Sequence, residues 1–280
     1  MDQNSNPLKQ FFRQPSIYIR LPSQGQFWEP GSIDMPRNGE VPVLPMTAID
    51  EMTYRTPDAL FNGQAVVSVI ESCIPCIKDA WQCPTIDLDT ILIAIRLASF
   101  GHEMQIDTVC PHCSNSEEYG VDLRNILDNL KAADYTQNII NGDLEIYFRP
   151  LTYRQTTDNT LRQFEEQKVL NVIPDVEMED QEKLSRLNAA LSNLTKLTIE
   201  TLAQTISLVK TPNATVSESE YITEWLANAP SSIFDRIKDH VIGLREVSEI
   251  KPLTINCVQC QQTFEQSITL DQAFFFGDAS

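Results

Sequence analysis

The sequence is poor in positive charge. It carries 21 Lys and Arg against 39 Asp and Glu, a formal net charge of −18 and a pI near 4.5. A nucleic-acid binder needs a basic surface to displace the counterions of phosphates, so this balance predicts no nucleic-acid partner. Anionic lipid surfaces are disfavoured for the same reason. Long apolar runs are also missing. Nothing approaches the roughly 20 residues that cross a bilayer, and the polar stretch Met1 to Gln14 has no apolar h-region of a signal peptide. These absences predict a chain that works in a cytoplasm and away from membranes. Histidine is scarce, at three residues: His102, His112 and His240. There is no His-Glu-x-x-His, no Gly-rich phosphate loop and no Gly-x-Ser-x-Gly elbow. The expectation is a protein that is not an enzyme.

The 280 residues, 42% of them hydrophobic, suffice for one large domain or for a core with an inserted subdomain. Residues 1–46 read as an extended N-terminal arm, because Pro and Gly crowd the stretch from Pro22 to Pro45. With few residues for a core of its own, this arm is expected to pack along a neighbouring subunit. Residues 47–103 read as a helical core. Thr47 caps a first helix, Gln64 to Lys78 presents Val66, Val67, Ile70, Cys73, Ile74 and Ile77 on one face, and a helix starting at Asp87 or Asp89 is apolar nearly all round. Strands are expected at Met104–Val109, Tyr119–Leu123, Leu144–Phe148, Leu253–Asn256 and Phe264–Leu270. Residues 151–247 read as an inserted helical subdomain. Its longest helix carries Leu184, Leu187, Leu191 and Leu194, with the seam resuming at Leu202, Ile206 and Val209. That seam reads as a helical hairpin within the chain, with a partner-binding helix as the alternative. Ser217 to Glu220 has the pattern of a capping box.

In a reducing compartment, paired Cys-x-x-Cys motifs point to metal or redox chemistry and not to disulfides. Two such units match in form: a strand, Cys110-Pro111-His112-Cys113 and a strand; then a strand, Cys257-Val258-Gln259-Cys260 and a strand. Each turn brings two thiolates to one zinc-bond length from a common point, and two turns complete a tetrahedral shell. Cys110, Cys113, Cys257 and Cys260 are therefore the expected ligands of one structural zinc ion (Zn2+). Cys257 lies 144 positions beyond Cys113, far more than the short loop of an ordinary zinc ribbon. Loop-closure entropy grows only logarithmically with length, so the gap is no physical obstacle. The competing reading is two unrelated cysteine pairs, buried or redox-active. Cys73, Cys76 and Cys83 read as core packing, with a second ligand set as the alternative. The fold class is accordingly α+β and mostly helical. It holds a small β zinc ribbon built from two distant knuckles (residues 104–150 and 248–280) around an inserted helical subdomain.

Several ordered stretches carry a family resemblance. Leu21-Pro22-Ser23-x-Gly25, Pro42-Val43, Pro45-Met46-Thr47, Thr56 to Ala65, Ser72-Cys73, Ile86-Asp87-Leu88-Asp89, Ile93-Ala94-Ile95-Arg96, Pro150-Leu151-Thr152-Tyr153 and Phe275-Phe276-Gly277 resemble the T4 bacteriophage base plate protein family. The resemblance is densest over Ile17–Cys113 and thin over the helical insertion. It implies a non-enzymatic structural or assembly protein of the baseplate hub of a contractile phage tail. Its partners would be other hub or tail proteins. Its location would be the host cytoplasm during assembly and the virion tail baseplate if structural. The alternatives are a tail-assembly chaperone absent from the mature virion and a zinc-ribbon adaptor of another class. The aromatic run Phe274-Phe275-Phe276 is expected to anchor either on the ribbon or on a hub partner.

Overall fold

The computed structural model describes residues 6–55, 63–173 and 179–268. The sequence string Thr56–Asn62 and the aromatic run at Phe274 lie outside the described residues. The chain divides into two compact units: Met1–Ala80, Asp87–Lys131 and Glu249–Ser280 form the first, Trp81–Ile86 and Ala132–Ser248 the second.

In the first unit, β1 (Ile17–Ile19) pairs antiparallel with β2 (Val41–Val43), and α1 (Ala48–Tyr54) follows. Thr47 and Asp50 form a reciprocal capping box at its start. Next come α2 (Gln64–Cys73) and α3 (Thr85–Phe100). The helix expected to run to Lys78 ends at Cys73, but its predicted apolar residues are all buried: Val66, Val67, Ile70 and Cys73 on α2, Ile74 and Ile77 in the turn beyond it. Ile91 to Ile95 are likewise buried along α3. Gly101, at a φ of +86°, ends α3 in the left-handed region that glycine enters without cost. The arm differs from its sequence expectation. Ile19, Leu21, Trp28, Val41 and Val43 are buried within the chain's own fold. Backbone bonds from Leu44 N–H to the Cys73 carbonyl and from Asp34 N–H to the Cys76 carbonyl lace the arm to the end of α2. The buried Asp87 carboxylate accepts bonds from the Ser23 N–H, the Ser23 hydroxyl and the Trp28 indole. Proline and glycine prevent a helix here, but the alternate apolar side chains still find a core.

The ribbon strands are β3 (Glu103–Val109) with β4 (Ser116–Asp122), and β9 (Leu253–Asn256) with β10 (Thr263–Gln266), each pair antiparallel. A short α4 (Leu123–Asn129) follows β4, with Asp122 accepting from the Arg124 N–H as its cap.

The second unit is not all-helical. β5 (Ile139–Asn141), β6 (Leu144–Phe148), β7 (Ile206–Lys210) and β8 (Thr215–Val216) make a four-stranded sheet in that order. The Leu144–Phe148 strand, grouped with the ribbon by sequence, pairs here with β5 and β7. A register shift between Tyr147 and Phe148 explains the misread seam. It lets Ile206 and Val209, three apart on β7, both be buried, and that spacing mimics a helical stripe. Helices α5 (Tyr153–Val172) and α6 (Asp180–Gln204) form a hairpin, crossed by Asn193 to Glu166 and by Asn159 to Gln204. Two further helices, α7 (Ser219–Asn228) and α8 (Ser231–Ser248), complete the unit. The capping box expected at Ser217–Glu220 does not form, because Glu218 takes the cap position without a side-chain bond. Ile146, Phe148, Leu202, Ile206, Ile222, Leu226 and Ile237 share one core.

Candidate metal centre

The two knuckles repeat one backbone design. In the first, the Cys110 N–H donates to the Asn115 carbonyl and the Ser114 N–H to the Cys110 carbonyl. In the second, Cys257 N–H donates to the Gln262 carbonyl and Gln261 N–H to the Cys257 carbonyl. The partners sit at the same offsets from the leading cysteine. Ser114 and Gln261 occupy equivalent positions, and each has a φ of 58°. Non-glycine residues enter this region rarely and at a cost. Two independent turns accept the same cost at the same place, which is the mark of one turn type built twice.

The turns bring four sulfurs together. The Sγ atoms of Cys110, Cys113, Cys257 and Cys260 all lie within 4.8 Å of one another. Cys110 Sγ is 3.7 Å from Cys260 Sγ, and Cys113 Sγ is 3.6 Å from Cys257 Sγ. A tetrahedral shell with zinc–sulfur bonds of about 2.3 Å needs sulfurs about 3.8 Å apart. A disulfide needs about 2.05 Å, and all four cysteines are free thiols. The close pairs join one knuckle to the other, so the reading of two unrelated cysteine pairs does not hold. Cys110 and Cys257 are buried and Cys113 and Cys260 half-buried, the pattern of a site at the rim of a small domain.

The thiols interact strongly. At Cys110, burial pushes the thiol up, but backbone N–H groups of His112 and Cys113 and the neighbouring sulfurs bring it down to about 7. At Cys113, the Asn115 N–H favours the thiolate, but burial and the three other sulfurs push it up to about 12. One proton leaves readily and the next must leave against the charge already there. A dication held between the sulfurs removes that opposition, so the donor set fits a thiophilic metal. The surrounding apolar cluster is small: Ile255 and Phe264 are buried beside Cys110 and Cys257, with Ile106 and Leu253 partly covered.

The structure keeps the other cysteines apart from this centre. Cys73 and Cys83 are fully buried in the first and second units, and Cys76 is half-buried. Burial pushes the Cys73 thiol up to about 12. Among the described residues, the four-sulfur group is the one cluster of Cys, His, Asp or Glu donors able to share an ion. His112 is exposed in its knuckle and supplies no donor to it. A network that sequence reading missed centres on Arg13. Its guanidinium donates to the Pro45 carbonyl, to Asp50, and to the Ser72 carbonyl and hydroxyl, pinning the arm to the start of α1 and the end of α2.

No helix among the described residues is long and apolar enough to cross a membrane. Comparison with curated proteins and with solved structures finds no match. The family comparison matches residues 33–275, which takes in both knuckles and the whole helical insertion that sequence resemblance touched thinly. On that match the chain belongs to the T4 bacteriophage base plate protein family.

Proposed function

We propose that Cys110, Cys113, Cys257 and Cys260 bind one structural zinc ion, and that the protein is a non-enzymatic building or assembly component of the baseplate hub. The observation that carries the metal reading is the sulfur geometry. Two knuckles of one design, from chain segments 144 positions apart, meet at the spacing of a tetrahedral thiolate shell. When bound, zinc supplies charge neutralisation and a fixed geometry. Four protein thiolates leave it no open position for water or substrate, which supports a structural role. The protein residues then do the rest: backbone N–H groups orient the sulfurs, and Ile255 and Phe264 shield the inner pair. Membership of a baseplate family supports partners among phage tail proteins. Elemental analysis of protein purified without chelator should give about one zinc per chain; a metal-free, folded protein would remove the metal reading. Mass spectrometry of purified virions tests the second half. Stoichiometric presence supports a built-in hub component, and absence from the virion supports the chaperone alternative.

A further inference from the structure

The hairpin that leads into the first knuckle has an open edge. Among the described strands β3 and β4 pair only with each other, in one unbroken register from Glu103↔Asp122 to Val109↔Ser116. Along β3 the alternate residues are covered: Met104 and Thr108 are buried and Ile106 is half-buried. Along the middle of β4, Glu118, Tyr119 and Gly120 are exposed one after another. Successive side chains of a strand point to opposite faces, so β4 is open on both faces there. Gly120 has no side chain, so its exposure is exposure of the backbone. A glycine inside a strand marks a place where another backbone can come close. The devices that close an edge, such as a Lys, a Pro or a bulge, are missing from Ser116–Asp122.

Charge selects what can use this edge. The register sets Asp107 opposite Glu118 and Glu103 opposite Asp122. Opposed side chains share a face with Cβ atoms about 4.5–5.5 Å apart, and like charges there destabilise the pair. In the other described ladders every acidic residue faces a neutral or basic one. Glu265 faces Thr254, and Glu145 faces Ile140 on one side and Lys210 on the other. Within the hairpin, Arg124 binds Asp122 and His102 lies 3.8 Å from Glu103. Asp107 and Glu118 have no ion pair among the described residues. The four carboxylates do not gather around one ion, so the complement they lack is a set of separated cations. Nucleic acid and anionic lipid carry the wrong sign. A second copy of a chain of net charge −18 would bring more negative charge to the edge.

We propose that the free edge of β4 takes up an extended, basic segment of another protein as a third strand, with Lys or Arg at positions four apart beside Glu118 and Asp122. Positions four apart in an extended chain share a face, so both cations meet the acidic side of the hairpin. This goes beyond the metal and hub readings and depends on neither. The probe is the peptide Val-Thr-Lys-Val-Ser-Val-Lys-Thr-Val, titrated into the full chain by fluorescence anisotropy. Its control, Val-Thr-Lys-Val-Ser-Lys-Val-Thr-Val, has the same composition but sends its lysines to opposite faces. The first peptide should bind in a salt-sensitive way and more tightly than the control. Hydrogen exchange across Ser116–Asp122 should slow when it is bound. Glu118→Lys should weaken binding by at least about tenfold. That change makes the pair with Asp107 an ion pair like Glu145 with Lys210, so melting should not fall. Glu265→Lys, at an exposed position of β10, alters net charge equally and should leave binding unchanged. Four results would overturn the proposal: no binding to wild type, equal binding of the two peptides, equal weakening by Glu118→Lys and Glu265→Lys, or a bound peptide that leaves exchange in β4 unslowed. Each of them leaves the sulfur geometry and the family membership as they stand.

Discussion

Replacing Cys257 with Ser tests what the proposed metal would contribute. Strands β9 and β10 make a two-stranded sheet with a register of four residue pairs. Such a hairpin is marginal in water without further support. The support available is the small cluster of Ile255 and Phe264, and burying those two side chains supplies roughly 1.5–3 kcal/mol each. Ordering the backbone costs roughly 1–2 kcal/mol for every residue fixed, so this cluster does not hold the ribbon by itself. A structural zinc contributes on the order of 10–16 kcal/mol of apparent binding energy at neutral pH. Losing a buried ligand should release the ion and let β9–β10 open, while the second unit keeps its own core. Hydrogen exchange read by mass spectrometry is the assay. In Cys257→Ser, and in wild type treated with a strong chelator, amides of Leu253–Gln266 should exchange orders of magnitude faster. Amides of β6, β7 and α8 should stay protected. Cys73→Ser should leave zinc content unchanged. Equal protection of Ile255 and Phe264 with and without metal would refute the reasoning, because it would show the ribbon standing on its apolar cluster alone.

Other outcomes follow from the first unit. Arg13→Ala should cost about 1–3 kcal/mol in urea unfolding, since it strips partners from Asp50, Ser72 and the Pro45 carbonyl. Asp50 and Asp87 should show opposite pH signatures. Burial opposes ionisation of Asp50, but the Thr47 bonds, Ser72 and Arg13 outweigh it and lower its pKa. The stability it contributes is present above the unfolded value of 3.8 and lost as pH falls through the lower folded value. Burial raises the Asp87 pKa despite bonds from Ser23 and Trp28, so its ionisation costs stability as pH rises from 3.8 through the folded value. Mild acidification from neutrality should therefore stabilise wild type relative to Asp87→Asn in denaturant titrations. Gly25→Ala should destabilise more than Gly101→Ala: both have positive φ, but a Cβ at Gly25 would lie 2.7 Å from Met35 Cγ, and one at Gly101 meets nothing.

What sequence made legible was local. Period and capping place α1, α2, α3 and the ribbon strands, because apolar spacing and a Thr47 cap act within a few residues. The Cys-x-x-Cys turns were readable because thiolate spacing is itself a local constraint. Three features were not readable, each for a non-local reason. Burial of the arm depends on partners far along the chain: its backbone bonds to the end of α2, and Ser23 and Trp28 bond to Asp87 of α3. The sheet of the second unit was hidden by the register shift at Tyr147/Phe148, which gave β7 a helix-like spacing. The four leucines of α6 read as one seam, whereas the structure half-buries Leu187 and Leu194 and leaves Leu184 and Leu191 exposed. Within the stretch Leu21-Pro22-Ser23-x-Gly25, the structure supplies tasks that resemblance alone left unexplained. Leu21 is core, Ser23 serves Asp87, and Gly25 holds a φ of +83° against Met35.

The long interval between the knuckles has a physical resolution in the second unit. The two ends of its long segment, Ala132–Ser248, meet: the Ala133 N–H donates to the Ser248 hydroxyl at 3.1 Å. Once that unit is folded, the chain leaves and returns at one place. The knuckles are then joined by about 30 residues of connecting chain where the unfolded insertion would interpose 144 positions. Closure entropy scales as (3/2)RT times the logarithm of loop length, so folding the insertion lowers the cost of assembling the site by about 1.4 kcal/mol, a tenfold effect on metal affinity. The coupling is reciprocal, so a zinc ion bound at the proposed site would stabilise the folded insertion by the same amount. Ile237 is fully buried in the core of the second unit and far in sequence from the thiolates. Ile237→Asp should unfold that unit by placing a charge in its core. Competition against a chelator of known affinity should then show zinc held about tenfold more weakly than in wild type. Unchanged affinity with the second unit demonstrably unfolded would show that the knuckles find each other without the insertion. Complete loss of binding would show that the insertion does more than bring its ends together.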